Sequence, residues 1–214
     1  MQISSCKSRI IQQSFKIIDQ EFGSHQFSPE EYVIVRRIIH SSADFEFKEL
    51  LSFSHNAILS AIAYLQQGLP IVTDVSMVAQ GIRAMAHETF QNPIINALDY
   101  VDQPLPGATR TETGIINLLR HYPDALYVIG NAPTALIALC KWLSQQSDPK
   151  KKPSVVIGAP VGFVSVLESK ALLQTMDVEQ IVVQGRKGGS AVAAGIINAL
   201  LYLAWGKNVL GIEE

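Results

Sequence analysis

The stretch Ala125–Thr134, ALYVIGNAPT, reads as a buried strand that stops at Gly130 and passes through a tight turn into a helix. Its apolar run is short and shows no polar alternation, as a strand covered on both faces requires. Four more runs of this kind occur, at Pro70–Asp74 (PIVTD), Ala97–Asp102 (ALDYVD), Ser154–Gly158 (SVVIG) and Gln180–Gln184 (QIVVQ). Each is followed by sequence of helix length. Strands alternating with helices predict an α/β fold, a three-layer α/β/α sandwich on a five-stranded parallel sheet. Right-handed crossovers then place helices on both faces.

Upstream of this region the chain reads helical. Ile10, Ile11, Phe15, Ile17, Ile18 and Phe22 recur at the spacing of one helix face over Arg9–Glu21. Ser28-Pro29-Glu30-Glu31 is a capping box with proline at the first helical position, and the helix it starts should end near His40–Ala43. Ser54 reads as the N-cap of a third helix, closed by Gly68. Gln145–Pro153 (QQSDPKKKP) reads as a solvated linker between a helix and a strand, and Ser190–Trp205 as a buried helix. The latter is short of the about 20 apolar residues of a membrane span and contains Asn198.

Composition narrows the class. The 214 residues are 48% apolar and 17% charged, which excludes a disordered chain. Seventeen Lys and Arg against 19 Asp and Glu leave a net charge of −2, against a generally basic nucleic-acid binder. Two cysteines, Cys6 and Cys140, exclude a disulfide scaffold and a cysteine-rich zinc site. The polar start lacks the apolar core of a signal peptide, so the expected location is cytoplasmic, with no membrane partner.

In an open α/β sheet, ligands bind at the carboxyl ends of the strands. Three such ends carry glycine-bearing loops: Gly130–Thr134, Gly158–Phe163 and Gln184–Ser190. Glycine lets backbone approach a ligand closely, and helix N-termini favour anions. With Arg186 and Lys187 these loops predict an anionic-ligand site built from backbone amides and a few cations, beside the plainer reading as ordinary tight turns. No GxxxxGK[ST], GxGxxG, GxSxG or HExxH motif is present, and the five histidines lack metal-ligand spacing. Among them His40 stands out, with Arg36 four residues before it and Asp44 four after. All three share one face if the helix runs that far. The helix dipole and Asp44 favour the imidazolium; Arg36 and Arg37 oppose it.

Several segments, taken in order, resemble the precorrin-8X methylmutase (precorrin isomerase) family, including its cobalt-precorrin-8 members. They are SFKII (14–18), RRIIHSSADFEF (36–47), PIVTDVSMVAQGI (70–82), ATR (108–110), VIGNAPTAL (128–136), IGAPVGFVSVLESK (157–170) and GRKGGSAVAAGIINAL (185–200). The likeness covers about Ile10 to Leu203 and treats residues 1–214 as one domain. It implies a flavodoxin-like homodimer with active sites at the subunit interface. The implied reaction is an isomerase step of cobalamin biosynthesis, moving a methyl group from ring carbon 11 to ring carbon 12 of a tetrapyrrole without a cofactor. It also implies that His40 protonates or hydrogen-bonds a ring nitrogen. A methyl shift breaks no polar bond, so orientation and one well-placed proton suffice.

The same resemblance implies the substrate contacts. Ser14, Arg36 and Asp44 accompany His40. Arg110, Arg186 and Lys187 are expected to meet ring carboxylates, and Asn131, Thr134, Gly162, Gly188, Gly189 and Ser190 to lie in the donor loops. Met77, Val78 and Phe163 are expected to cover the ring unless they are plain core, and Lys170 is expected to pair with Glu168. Family members usually carry glycine where Ala43 stands, serine where Thr111 stands, and small residues where Ser165 and Val166 follow PVGFV. A non-catalytic corrinoid carrier of the same fold is the alternative reading.

Overall fold

A computed structural model of the chain describes residues 5–148 and 151–206. The elements are α1 (Ser5–Phe22), α2 (Pro29–Ser42), α3 (Phe47–Leu50), β1 (Leu51–Phe53), α4 (Ala57–Gln66), β2 (Ile71–Thr73), α5 (Ser76–Glu88) and β3 (Ile94–Asn96). A 3-10 turn (Ala97–Tyr100) is followed by α6 (Arg110–His121), β4 (Leu126–Ile129), α7 (Pro133–Ser144), β5 (Val155–Gly158), α8 (Val166–Gln174), β6 (Gln180–Val183) and α9 (Ser190–Trp205).

One sheet has the order β1-β6-β5-β4-β2-β3. Every residue of β2, β4, β5 and β6 is buried. Alternation along the strands feeds two separate cores. Leu126, Val128, Val155, Ile157, Ile181 and Val183 pack with α2, α4, α5 and α9. Tyr127, Ile129, Val156 and Val182 pack with α6 and α7. The α/β/α layering expected from the continuous apolar runs is therefore present. Without β1, the order by strand succession is 2-1-3-4-5, the flavodoxin-like doubly wound arrangement.

Three expectations need correction. The sheet has six strands, not five parallel ones, because β1 pairs antiparallel with β6, Leu51 opposite Val183. At three residues it is too short to carry a periodicity of its own. The second parallel strand is Ile94–Asn96 rather than Ala97–Asp102. Ala97 starts a 3-10 turn because α6 presses against it: a Cβ on Gly114 would lie 2.1 Å from the Ala97 carbonyl oxygen. Ser54 does not cap α4, whose N-cap is Asn56. Its hydroxyl donates to Glu179 and accepts the Gln180 N–H at 2.8 Å, tying β1 to β6. The Gln145–Pro153 linker lies partly outside the described residues.

The Ser28 capping box forms as expected, with Glu31 N–H on Ser28 Oγ at 3.2 Å and Ser28 N–H on Glu31 at 2.8 Å. At its other end α2 closes on Ala43, left-handed at φ 54°, whose N–H reaches the Ile39 carbonyl at 2.7 Å. A Cβ in that conformation costs about 1 kcal/mol relative to glycine. Ala43→Gly is therefore expected to raise the melting temperature by about 2–4 °C, measured by thermal unfolding. An unchanged or lower melting point would show that the strain is relieved elsewhere.

Candidate active site

The loops leaving β5 and β6 interlock at the carboxyl edge of the sheet. Gly189 N–H donates to Ala159 O at 2.8 Å, and Gly162 N–H to Arg186 O at 3.2 Å. Between them Gly188 runs at φ +146°, where a Cβ would sit 2.4 Å from Ala159 O. Only glycine fits there, because both the dihedral and the neighbouring backbone forbid a side chain. Lys170, 2% exposed, supports the β6 loop from below, its Nζ donating to the carbonyls of Gly185 and Lys187 at 2.8 Å each. Burial pulls its pKa down to about 8. The amine thus goes to backbone rather than to Glu168 as expected.

A cavity of about 390 Å³ opens beside these loops, lined by Ser41, Ser42, Asp44, Val161, Lys187 and Gly188 among others. Lys187 reaches Asp44 at 2.5 Å and Glu46 at 2.7 Å. The lysine holds the Asp44 carboxyl below its usual range, and the two carboxylates push the lysine up. The ammonium is thus shared between two carboxylates. Asp44 does not continue the face of Arg36 and His40, because α2 stops at Ser42 and Ala43 turns the chain.

His40 does not line this cavity and faces α1. Its half-buried ring meets Phe15 edge-on, centroids 5.1 Å apart, and the Arg36 guanidinium lies 4.4 Å above the same Phe15 ring. Arg36 is also paired with Asp19 at 3.1 Å, and Tyr32 donates a short hydrogen bond to that carboxylate. Ser14, half-buried on α1, precedes Phe15. Burial first, and the charge of Arg37 second, lower the His40 pKa below its ordinary 6.5, which settles the direction the sequence left open.

A third group gathers around the loop after β4. Thr109 forms a capping box with Glu112 at the start of α6, its T-x-x-E signal legible in TRTE (109–112). The Thr109 hydroxyl also bonds those of Thr134 at 2.9 Å and Thr111 at 3.1 Å. Arg110 is exposed and touches the Val101 carbonyl at 3.3 Å. The backbone N–H groups of Gly130, Asn131 and Ala132 all point at Asp74, which is 0% exposed, at 3.0, 2.7 and 2.8 Å. The Asp74 pKa lies above its usual value because burial outweighs the hydrogen bonds from the three amides, which favour the carboxylate.

Met77 (72% exposed) and Phe163 (84%) are surface residues, not core, and Val164 is as open as Phe163. Val78 is buried. The Arg186 guanidinium stands 5.8 Å from the Phe163 ring centroid. The structure thus joins Asp44 to Lys187 and Gly188, Arg186 to Gly162 and Phe163, and Thr134 to the cap beside Arg110. It sets Ser14, Arg36 and His40 apart from these on the α1–α2 face. Among the described residues no three His, Cys, Asp or Glu side chains are grouped to hold a metal. None of the described helices is long and apolar enough to cross a membrane.

This arrangement has known counterparts. The chain is 49% identical over 210 residues to the cobalt-precorrin-8 methylmutase of Synechocystis sp., covering 92% of this chain and 95% of that relative. It is 34% identical over 197 residues to the precorrin-8X methylmutase of Pseudomonas aeruginosa, covering 89% and 93%. The crystal structure of precorrin-8X methyl mutase from Thermus thermophilus superposes with a TM-score of 0.83 at 38% identity, covering 92% of this chain and 96% of that one. The family model for precorrin-8X methylmutase matches residues 9–203, which span the interlocked loops, the Asp74 turn and His40 alike, and the chain belongs to that family.

Proposed function

We propose that the chain, acting as a single domain, moves a methyl group from ring carbon 11 to ring carbon 12 of cobalt-precorrin-8, giving cobyrinate. As a methylmutase-family member it is an isomerase of corrin biosynthesis. The cobalt form is favoured because the Synechocystis relative, at 49% identity, carries that name, whereas the one that carries the precorrin-8X name in Pseudomonas aeruginosa is 34% identical. The metal belongs to the substrate, inside the macrocycle.

The observation that carries the reading is His40, half-buried at the end of α2 with its ring edge-on to Phe15 and the Arg36 guanidinium over that same ring. A bound polycarboxylate brings negative charge near this histidine and raises its pKa, so the imidazole takes a proton as the complex forms. It then donates to a ring nitrogen next to the migrating centre. Arg110 and Arg186, both exposed, contact carboxylates at the rim, and Met77 and Phe163 lie against the ring face. The apolar Phe163-Val164 pair, open in a single chain, supports a homodimer whose site is completed at the interface, working in the cytoplasm.

The test is an absorption spectrum. The methyl shift alters ring conjugation, so mixing the protein with cobalt-precorrin-8 is expected to change its visible bands over successive turnovers. Conversion of metal-free precorrin-8X alone would remove cobalt from the assignment. Binding with an unchanged substrate spectrum in both cases would replace the mutase by a carrier.

A further inference from the structure

In a sheet of this order the crevice between β2 and β4 is the topological switch point, where flanking helices diverge and ligands usually enter. Here three successive backbone N–H groups, from Gly130, Asn131 and Ala132, converge just ahead of α7. Such a run of amides at a helix N-terminus favours an anion. The cradle is already filled: both carboxylate oxygens of Asp74, at the end of β2, take all three bonds, and the side chain is fully buried. The Asp74 backbone N–H, in turn, donates to Val128 O at 3.1 Å.

We propose that Asp74 is a positioning residue that serves as the chain's own anion in this cradle. It keeps substrate carboxylates out of the switch point and fixes the turn from which Asn131 and Thr134 work. The Thr134 hydroxyl, 2.9 Å from that of Thr109, extends the hold to the cap that carries Arg110. The substrate's carboxylates are therefore read at the rim, by side chains, and not by the amides of the β4 loop. This rests on the methylmutase reading given above.

Asp74→Gly removes a group the size of acetate and leaves the amides unpaired. In folded D74G, KM is expected to rise at least about tenfold with kcat changed far less, since the turn orients binding groups and not the reacting proton. Added acetate should restore KM saturably and raise the melting temperature of D74G but not of wild type. A folded D74G with wild-type KM overturns the proposal, and so does one that acetate neither stabilises nor repairs. If D74G does not fold, Asp74→Asn carries the test: it keeps the volume but turns an amide NH2 toward an N–H donor, and a wild-type KM in folded D74N overturns it equally. Acetate stabilisation of D74G is read without substrate. An inactive wild-type protein would thus sink the mutase reading while leaving the cradle independently judged.

Discussion

His40→Ala leaves a folded protein that still binds the macrocycle but turns it over at least about 100-fold more slowly, the loss typical of a missing general acid. The fold is expected to survive because the ring is only half-buried and its described aromatic contact is one edge against Phe15, a contact of about 1 kcal/mol. The pH dependence adds a second signature. A proton donor acts as imidazolium, and burial and Arg37 hold its pKa below 6.5 in the free chain. kcat/KM, which reports the free enzyme, should therefore fall as pH rises through that lowered value. kcat, which reports the complex, should hold to higher pH because bound carboxylates stabilise the cation. Steady-state absorbance assays across pH on wild type and H40A check both. Wild-type turnover in H40A, or a kcat/KM profile identical in the two proteins, would remove His40 from the chemistry.

The largest effect on the framework is expected from one methyl group at Gly188. Alanine there is forced into a φ of +146° and its Cβ into a carbonyl oxygen 2.4 Å away. That oxygen is backbone, held by Gly189 N–H at 2.8 Å, so it cannot swing aside. Strain and overpacking together cost about 2–4 kcal/mol, or about 4–16 °C in melting temperature for a chain of this length. Turnover should fall with it, because the displaced loop carries Arg186 and Lys187. Gly107→Ala is the control: its φ is +75° but nothing lies within 4 Å of the added Cβ, so only about 1 kcal/mol of left-handed strain applies. Thermal unfolding of the two variants distinguishes the effects. A G188A protein no less stable than G107A would mean that the interlock yields.

What the residues disclosed in advance follows physical lines. β4, β5 and β6 were legible because burial on both faces leaves continuous apolar runs, and α2 because its cap is written in four adjacent residues. β1 and β3 were not, since three-residue edge strands are defined by their partners and carry little pattern of their own. His40 stood out by its charged neighbours, yet its protonation turned on burial against α1, which no spacing encodes. Asp74 has no local signal of its role, because its partners are 56 to 58 positions further along the chain. Lys170 has Glu168 close in sequence, but its carbonyl partners sit 15 and 17 residues away. Local chemistry was readable; contacts made by the fold were not.

The antiparallel strand β1 bears on the order in which the molecule is made. Among the described strands it pairs with β6 alone, and the Ser54 hydroxyl just after it waits for an amide 126 residues later. Earlier in the chain, α2 packs on α9, the last described element. During synthesis the segment bearing His40 therefore leaves the ribosome well before β6 and α9 and lacks these partners until they have followed. Pairing over such a separation is slow, because the intervening chain must be closed into a loop first. Docking of α2 and pairing of β1 thus wait for the same late part of the chain. A chain cut short before β6 would carry His40 with neither β6 nor α9 to receive its segment.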